Sequence, residues 1–281
     1  MRKPYPTDLT DEQWALLQPL IPPAKSGGAP RTVDLREILN TLFYQARTGC
    51  PWDMLPHDLA PRSTAFDYHQ RWHQDGTWQC LVDALRQQVR TAAGREAAPR
   101  VAYIDSQSVK TTERGGERGF DGGKKVTGRK RHYVVDSLGL LLVVAVTGAD
   151  WDDGTAAPAA LSPLTAAMTS RRETIWGDGR YHNHSLNAWL VGAEATYRVL
   201  VVARPAGSEG FVLLPKRWVV ERSIAWFGRY RRLSKDDERT TASAEAWIKV
   251  SAVSQLLRRL KPNPAHSPPP FRYPKPQRKA A

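Results

Sequence analysis

Three acidic residues are placed where a metal-dependent enzyme needs carboxylates: Asp105 in VAYIDSQSVK, Asp178 in ETIWGDGRY and Glu221 in PKRWVVERSIAWFGRYRR. Carboxylate oxygens are the ligands that hard divalent cations such as Mg²⁺ prefer, and Lys or His side chains could not replace them. Two such ions can activate a hydroxyl nucleophile and neutralise charge on a phosphate. The three residues therefore predict phosphoryl transfer with Mg²⁺ or Mn²⁺, and all three are predicted as metal ligands.

The two aspartates follow short apolar runs that have the composition of β-strands. Asp105 is expected to close a strand over residues 101–104, and Asp178 lies between two glycines at the end of ETIW. The ends of adjacent strands meet at one edge of an α/β sheet, where this architecture places its sites. Each aspartate alone also fits an ordinary turn residue, so the prediction depends on their convergence.

Glu221 is predicted to lie on a helix. Its neighbours Val220, Ile224 and Phe227 form an apolar stripe, which places Glu221 at the border of the buried face. A glutamate in that position needs a partner. A metal ion is one candidate, and the alternative is an ion pair with Arg217, one turn earlier.

The N-terminal third of the chain has helical periodicity. Thr10 and Gln13 have the spacing of a capping box, and a second helix starts at Asp34 and is expected to stop at Gly49-Cys50-Pro51. A third helix, capped by Ser63 or Thr64, carries basic and aromatic side chains and leads through Asp75-Gly76 into a fourth. This pattern favours a helix-turn-helix-like unit that binds DNA, and plain packing of a small helical domain is the alternative.

The periodicity changes from helical to extended after TAAGREAAPR, which favours a domain boundary near residues 93–99. HYVVDSLGLLLVVAV predicts an antiparallel hairpin, and alternating helix and strand patterns follow it. The predicted fold is α/β, with a mixed sheet preceded by a small all-α domain. The predicted organisation is a helical DNA-binding domain over residues 1–95, a catalytic domain over 96–260 and a Pro-rich, basic, disordered tail over 261–281.

Charge favours a polyanionic partner. The chain has 41 Lys and Arg residues against 28 Asp and Glu residues, for a formal net charge of +13, and no basic amphipathic anchor directs it to a membrane. The glycine-rich loop ERGGERGFDGGKKVTGRKRHYV and the run after Glu221 supply cations for phosphates, although the loop alone also fits a flexible solvated segment. The candidate DNA ligands are Lys110, Lys124, Lys125, Arg129, Lys130, Arg131, Arg217, Arg229, Arg231, Arg232 and, on the third helix, Arg71.

Several classes are disfavoured by composition. Two cysteines, Cys50 and Cys80, argue against a disulfide-stapled secreted protein and fit a reducing cytoplasm. The apolar run LGLLLVVAVTGA is too short to span a bilayer. His69, His73 and His57 lie near the cysteines in sequence, but without a C-x-x-C spacing a zinc site is not expected.

The chain resembles the DDE transposases of bacterial insertion sequences, in particular the insertion-sequence-five group of the IS4-like superfamily. The resemblance covers nearly all of residues 9–260. It is most specific in YIDSQSVKTTERGGERGFDGGKKVTGRKRHYVVDSLGLLL, in GDGRY and in FVLLPKRWVVERSIAWFGRYRRLSKDDE, together with LTDEQWALLQPLIP and WDMLP in the helical part.

The resemblance implies an RNase H-like core with a DDE triad at Asp105, Asp178 and Glu221, two Mg²⁺ or Mn²⁺ ions, and recognition of terminal inverted repeats in double-stranded DNA. It also implies a homo-oligomer on two DNA ends, cleavage followed by strand transfer, and a location at the bacterial nucleoid in the cytoplasm. The related tyrosine-arginine-glutamate-lysine signature is only partly present, because Leu214 and Gly228 stand at its tyrosine and lysine positions.

Two other classes stay open at this stage. One is an RNase H-like nuclease that cleaves DNA without joining it, which should lack an end-binding helical domain. The other is a catalytically inactive DNA-binding remnant of a transposon. The stretch GADWDDGTAAPAALSPL and the Pro-rich end from Lys261 both depart from the pattern of the family.

Overall fold

The computed structural model describes residues 2–24, 27, 31–164, 173–202 and 218–263. The helices are α1 (Asp11–Leu17), α2 (Leu35–Thr48), α3 (Arg62–Gln74), α4 (Thr77–Ala92), α5 (Asp153–Leu161), α6 (His184–Gly192), α7 (Trp218–Phe227) and α8 (Thr241–Leu260). The strands are β1 (Val101–Lys110), β2 (Gly119–Asp121), β3 (Val126–Asp136), β4 (Leu141–Gly148), β5 (Thr174–Gly177) and β6 (Arg198–Val201). The predicted helical N-terminal region followed by an α/β region is confirmed.

The caps of the first two helices are the ones that the sequence predicts. The Thr10 side chain accepts a hydrogen bond from the Gln13 N–H, and the Gln13 side chain accepts one from the Thr10 N–H, which forms the capping box of α1. Asp34 caps α2 by accepting from two N–H groups of the first turn. Gly49 ends α2 with φ at +74°, a conformation that glycine adopts without steric cost.

Helix α3 begins earlier than predicted. It starts at Arg62 directly after Pro61, and no side chain caps it, so the predicted cap by Ser63 or Thr64 is wrong. The fixed φ of Pro61 already directs the chain into the first turn. The predicted turn before α4 is confirmed, because Gly76 lies there with φ at +79°.

The sheet is mixed, as predicted. Its strands lie in the order β2-β3-β1-β5-β6, and β4 also pairs with β3. The pairs β1–β3, β2–β3 and β3–β4 are antiparallel, whereas β1–β5 and β5–β6 are parallel. This order fits the RNase H-like core that the resemblance implies.

The predicted hairpin between β3 and β4 is present, and its turn residue Asp136 has a second partner. One carboxylate oxygen, Oδ1, accepts hydrogen bonds from the N–H groups of Leu138 and Leu140, each at 2.9 Å. The other oxygen, Oδ2, accepts from Nη1 of Arg90 on α4 at 2.7 Å. Because both residues are buried, this ion pair fastens the helical region to the sheet.

Helices cover both faces of the sheet. On one face, Tyr103, Tyr133 and Val144 join a hydrophobic cluster that also contains residues of α2, α4, α7 and α8. On the other face, Ile104 and Val134 pack with residues of α5 and α6. The first cluster runs without a break from the N-terminal helices to the sheet, and α8 lies between them. The predicted domain boundary falls in the connection between α4 and β1, and the division into separate domains stays a prediction.

Two predictions concern residues that the structure does not describe. The tail prediction rests on residues 261–281, of which only 261–263 are described, and Arg217 also lies outside the described ranges. Within those ranges, none of the helices is both long enough and apolar enough to cross a membrane.

Candidate active site

Asp105 lies in the middle of β1, so the prediction that it closes the strand is wrong. Pairing with β3 continues from Ala102 to Lys110, because a full ladder of backbone hydrogen bonds outweighs the low strand propensity of the polar residues after Asp105. Asp105 is half-buried, and its Oδ1 accepts from the N–H of Ser106 at 2.7 Å.

Asp178 directly follows β5, as predicted. In the parallel pairing of β1 with β5, Val101 lies opposite Thr174 and Tyr103 opposite Trp176. The paired residues end at Tyr103 and Trp176, and a continuation of the same register by two residues would bring position 178 beside position 105. Asp105 lies on the same face of β1 as Tyr103, because side chains alternate along a strand.

Helix α7 carries Glu221 over the same face of the sheet. Val219, Val220 and Phe227 pack into the core, and the ring of Phe227 stacks on Tyr133 with centroids 5.4 Å apart. Tyr133 is the residue of β3 that pairs with Asp105. The core-facing residues of α7 therefore set the helix against the strand that holds the first aspartate.

Glu221 itself is exposed, so the prediction that it borders the buried face is wrong. The buried side of α7 is formed by Val219, Val220, Ser223 and Phe227, which turns Glu221 toward solvent. The alternative ion pair with Arg217 lies outside the described residues.

A closed metal site is not preformed. Within the described ranges, no three His, Cys, Asp or Glu side chains gather closely enough to hold a metal ion. The donor chemistry of the site nevertheless suits a hard divalent cation, because Asp105 on β1 and Asp178 directly after the neighbouring strand β5 offer only oxygen ligands. A third carboxylate, Glu221, stands on the helix that packs over them.

One of the histidines near the cysteines, His69, packs in the core. His69 is fully buried, and its ring lies 4.5 Å from that of Trp247 and 6.1 Å from that of Trp52, measured between centroids. Burial is the main reason that the pKa of His69 is lowered to about 3, and the neighbouring charges of His73 and Arg232 act in the same direction. This neutral ring is part of the interface between α3 and α8.

Four of the predicted DNA ligands are buried and do not face solvent. Arg129, Lys130, Arg131 and Arg232 are at most 5% exposed, so the prediction that they contact phosphates is wrong for the folded chain. Arg129 and Lys130 are buried on opposite faces of β3 because helices cover both faces. A sequence as basic as GRKRH gave no sign of that burial.

Arg129 and Arg131 share one buried counter-charge. Nη1 of Arg129 lies 2.9 Å from Oδ1 of Asp236, and Nη2 of Arg131 lies 3.8 Å from its Oδ2. Arg131 also donates to the carbonyl of Leu233 at 2.7 Å, and Arg129 donates to that of Glu117 at 2.8 Å. Burial raises the pKa of Asp236, while the two arginines oppose that shift. This cluster anchors the segment before α8 to the sheet.

The other described candidates are exposed and stay predictions as DNA ligands. They are Lys110, Lys124, Lys125, Arg229, Arg231 and Arg71. Lys124 contacts the strand that carries Asp105. Its Nζ donates to the carbonyl of Ser106, the residue after Asp105, at 3.2 Å.

Sequence reasoning missed an ionic network on the opposite face of the sheet. Asp153 at the start of α5 is 3% exposed and lies between Lys130 and Arg180. Burial raises the pKa of Asp153, but the Ser106 hydroxyl and the charge of Lys130 outweigh burial and lower it. The only sequence signal was the acidic cluster in GADWDDG, which resembles a solvated turn.

Two family models match the chain. Residues 96–257 match the model of the family "Transposase DDE domain", and residues 9–82 match "Putative transposase of IS4/5 family". The chain belongs to the IS4/IS5 family of DDE transposases, which confirms the resemblance.

A curated relative supports the same assignment. The chain is similar to the "Insertion element IS402 uncharacterized 16.2 kDa protein" of Burkholderia cepacia, with 31% identity over 127 residues. The alignment covers 42% of this chain and 82% of the relative.

Proposed function

We propose that this protein binds the terminal inverted repeats of an insertion sequence, cleaves the DNA and joins the 3′ ends to target DNA. The reaction is phosphoryl transfer at Asp105, Asp178 and Glu221. The observation that supports this most is that Asp105 lies on β1, Asp178 directly follows β5, the strand that pairs in parallel with β1, and the helix that carries Glu221 packs against β1. Membership of the DDE transposase family supports DNA as the substrate.

Each carboxylate has a defined task in this proposal. Asp105 and Asp178 hold the metal from β1 and from the turn after β5, and Glu221 contributes from α7. Mg²⁺ or Mn²⁺, when bound there, would neutralise charge on the scissile phosphate and lower the pKa of the attacking water or 3′-hydroxyl. Asp105 is half-buried and not enclosed in the core.

The exposed basic residues bind the DNA backbone in this proposal. Lys110 and Lys124 flank the site on β1 and in the loop after β2, and Arg229 follows α7. Cations at such positions fix the register of the duplex without reading its sequence. Because an element has two ends, two copies of the chain act on each element, and the protein works as a homo-oligomer on DNA.

The test uses labelled DNA that carries the inverted repeats bracketing the gene, incubated with purified protein and Mg²⁺. Wild-type protein is expected to produce cleaved ends and joined product, while Asp105→Ala binds the same DNA and produces neither. Glu173→Gln is the matched control, because Glu173 is an exposed acid directly before β5, at the opposite end of that strand from Asp178, and it should behave as wild type.

Three other results would count against the proposal. Cleavage without joined product favours a nuclease, and DNA binding without cleavage favours an inactive remnant. Cleavage that survives Asp105→Ala overturns the assignment of the three carboxylates.

A further inference from the structure

The chain that follows Asp178 is fastened to the opposite face of the sheet. The N–H of Arg180 donates to Oδ1 of Asp178 at 3.0 Å. The guanidinium of the same residue reaches back, and its Nη1 lies 3.3 Å from Oδ2 of Asp153. Arg180 therefore contacts the proposed metal ligand through its backbone and a buried acid through its side chain.

The acid that receives Arg180 is itself buried and pairs with a second cation. Oδ1 of Asp153 lies 3.2 Å from Nζ of Lys130 on β3. Lys130 also donates to the carbonyl of Trp151 at 2.6 Å, and only 3% of its side chain is exposed. Its register partner on β1 is Ser108, three residues after Asp105. The anchor for the Asp178 turn is thus built on the strand that pairs with β1.

The network extends to β1 through Asp121. The hydroxyl of Ser108 donates to Oδ2 of Asp121 at 2.6 Å. The other oxygen of Asp121 accepts from the N–H groups of Gly123 and Lys124, both at 3.0 Å. A Cβ added at Gly123 would lie 3.2 Å from the guanidinium of Arg180, so this loop borders the Arg180 side chain.

Backbone packing supports the same connection. A Cβ added at Gly154, the second residue of α5, would lie 2.7 Å from the carbonyl oxygen of Arg180 and 2.7 Å from Cβ of Asn183. Such distances do not occur for real Cβ atoms, so the turn after Asp178 sits directly on the start of α5. Only glycine at position 154 allows this approach.

The ladder between β1 and β5 stops before the carboxylates. The paired residues end at Tyr103 and Trp176, two residues before Asp105 and Asp178. Direct pairing between β1 and β5 therefore ends before the two aspartates, and the turn that carries Asp178 makes contacts of its own.

We propose that Arg180 and Asp153 are positioning residues that set the carboxylate of Asp178 beside Asp105 for metal binding. The connection from Arg180 through Asp153 to Lys130 takes over where the β1–β5 ladder ends. This inference rests on the proposed function, since it assigns these residues to the metal site of that function. Partners of this kind around metal ligands typically change metal affinity by about 10- to 100-fold when removed.

The test measures Mn²⁺ binding to the whole protein without DNA, by electron paramagnetic resonance or calorimetry. Arg180→Ala should weaken Mn²⁺ binding by about tenfold or more. Arg180→Lys, which keeps the charge and the backbone N–H, should recover part of the loss. Gly154→Ala should weaken binding by displacing the turn without removing any charge.

Arg100→Ala is the matched control. Arg100 and Glu173 form an exposed ion pair that joins the starts of β1 and β5, the opposite end of the same strand pair. Removing it should leave Mn²⁺ affinity unchanged, and DNA cleavage should follow the Mn²⁺ affinities across the whole set of variants.

The outcomes separate this inference from the proposed function. If wild-type protein binds Mn²⁺ and Arg180→Ala binds it equally well, the positioning role is overturned while the proposed function stands. If Arg100→Ala weakens binding as much as Arg180→Ala, the effect is general destabilisation and the positioning role is overturned. If wild-type protein binds no Mn²⁺ and Asp105→Ala changes nothing, the metal site and this inference fail together.

Discussion

Two groups of charged residues on and beside β1 and β3 have different surroundings. Arg129, Arg131 and Asp236 are buried, and opposite charges and backbone carbonyls surround them. Asp105, on β1, is half-buried, and Lys124, a few residues before Arg129, is exposed. The difference shows that a net charge of +13 identifies the kind of partner but not the residues that contact it. Burial divides the charges into those that hold the fold and those left for a ligand.

The comparison also separates stability from activity. A buried charge that loses its partner keeps the full cost of desolvation. A half-exposed carboxylate that is replaced leaves water in its place and changes stability little. The two groups should therefore respond to substitution in opposite ways.

The largest expected effect is a loss of stability when the buried group of Arg129, Arg131 and Asp236 is disrupted. Asp236→Ala leaves two arginines buried without their counter-charge and should lower the free energy of unfolding by about 3–5 kcal/mol. Urea denaturation followed by circular dichroism measures it. Asp237→Ala is the control, because Asp237 is only half-buried, and it should change stability by less than about 1 kcal/mol. Equal effects of the two substitutions would remove the distinction between the groups.

The second largest effect is expected at Asp105, in the group of half-buried and exposed charges. Asp105→Asn should slow DNA cleavage by at least about 100-fold, or about 2.7 kcal/mol in the activation free energy, because an amide is a poor ligand for Mg²⁺. Its free energy of unfolding should stay within about 0.5 kcal/mol of wild type. A variant that loses activity only in proportion to lost stability would place Asp105 with the structural charges.

A smaller effect is expected from acid. The pKa of His69 is about 3 in the folded chain and about 6.5 when unfolded. The unfolded chain therefore binds the proton first, so stability is fully present above pH 6.5 and is lost as the pH falls toward 3. Between pH 8 and pH 5 this loss should be about 2 kcal/mol.

His69→Phe should remove that acid sensitivity. Among the residues that the structure describes, neither ring nitrogen of His69 has a hydrogen-bond partner, so phenylalanine can replace the ring between Trp52 and Trp247 without breaking a bond there. Denaturation curves at pH 8 and pH 5 measure the difference. Burial also lowers the pKa of His132 to about 4, so the part of the acid sensitivity that comes from His132 should remain in this variant. A variant as acid-sensitive as wild type would contradict the assignment.

The smallest effect concerns an exposed cation. Lys110→Ala should weaken DNA binding modestly and reduce the slope of log affinity against log salt by about 1, as expected for one lost phosphate contact. Fluorescence anisotropy at several salt concentrations measures it. Arg95→Ala, at an exposed residue in the connection between α4 and β1, should leave the slope unchanged. An unchanged slope for Lys110→Ala would remove it from the interface.

Local signals in the sequence predicted much of the fold. The Thr10 capping box, the Gly49 stop and the hairpin turn at Asp136 each depend on residues within a few positions of one another, and all three are confirmed. The alternation of helix and strand predicted the mixed sheet. Asp178 was also placed correctly at the end of its strand.

Predictions that depended on distant partners were less accurate. Arg129 pairs with Asp236, 107 residues later, and Arg180 pairs with Asp153, 27 residues earlier. Neither pairing leaves a local pattern, because burial is decided by the elements that fold over both faces of the sheet. The strand after Asp105 was missed for a related reason, since its polar residues are held by pairing with β3.

The most direct test of the proposed site is to change the metal preference at Asp105. Asp105→Cys replaces a hard oxygen ligand with sulfur, which Mg²⁺ binds poorly and Mn²⁺ tolerates better. DNA cleavage by this variant should be lost with Mg²⁺ and partly restored with Mn²⁺, while Glu173→Cys cleaves with either ion. Equal activity of Asp105→Cys with both ions would show that Asp105 holds no metal and would contradict the proposed mechanism.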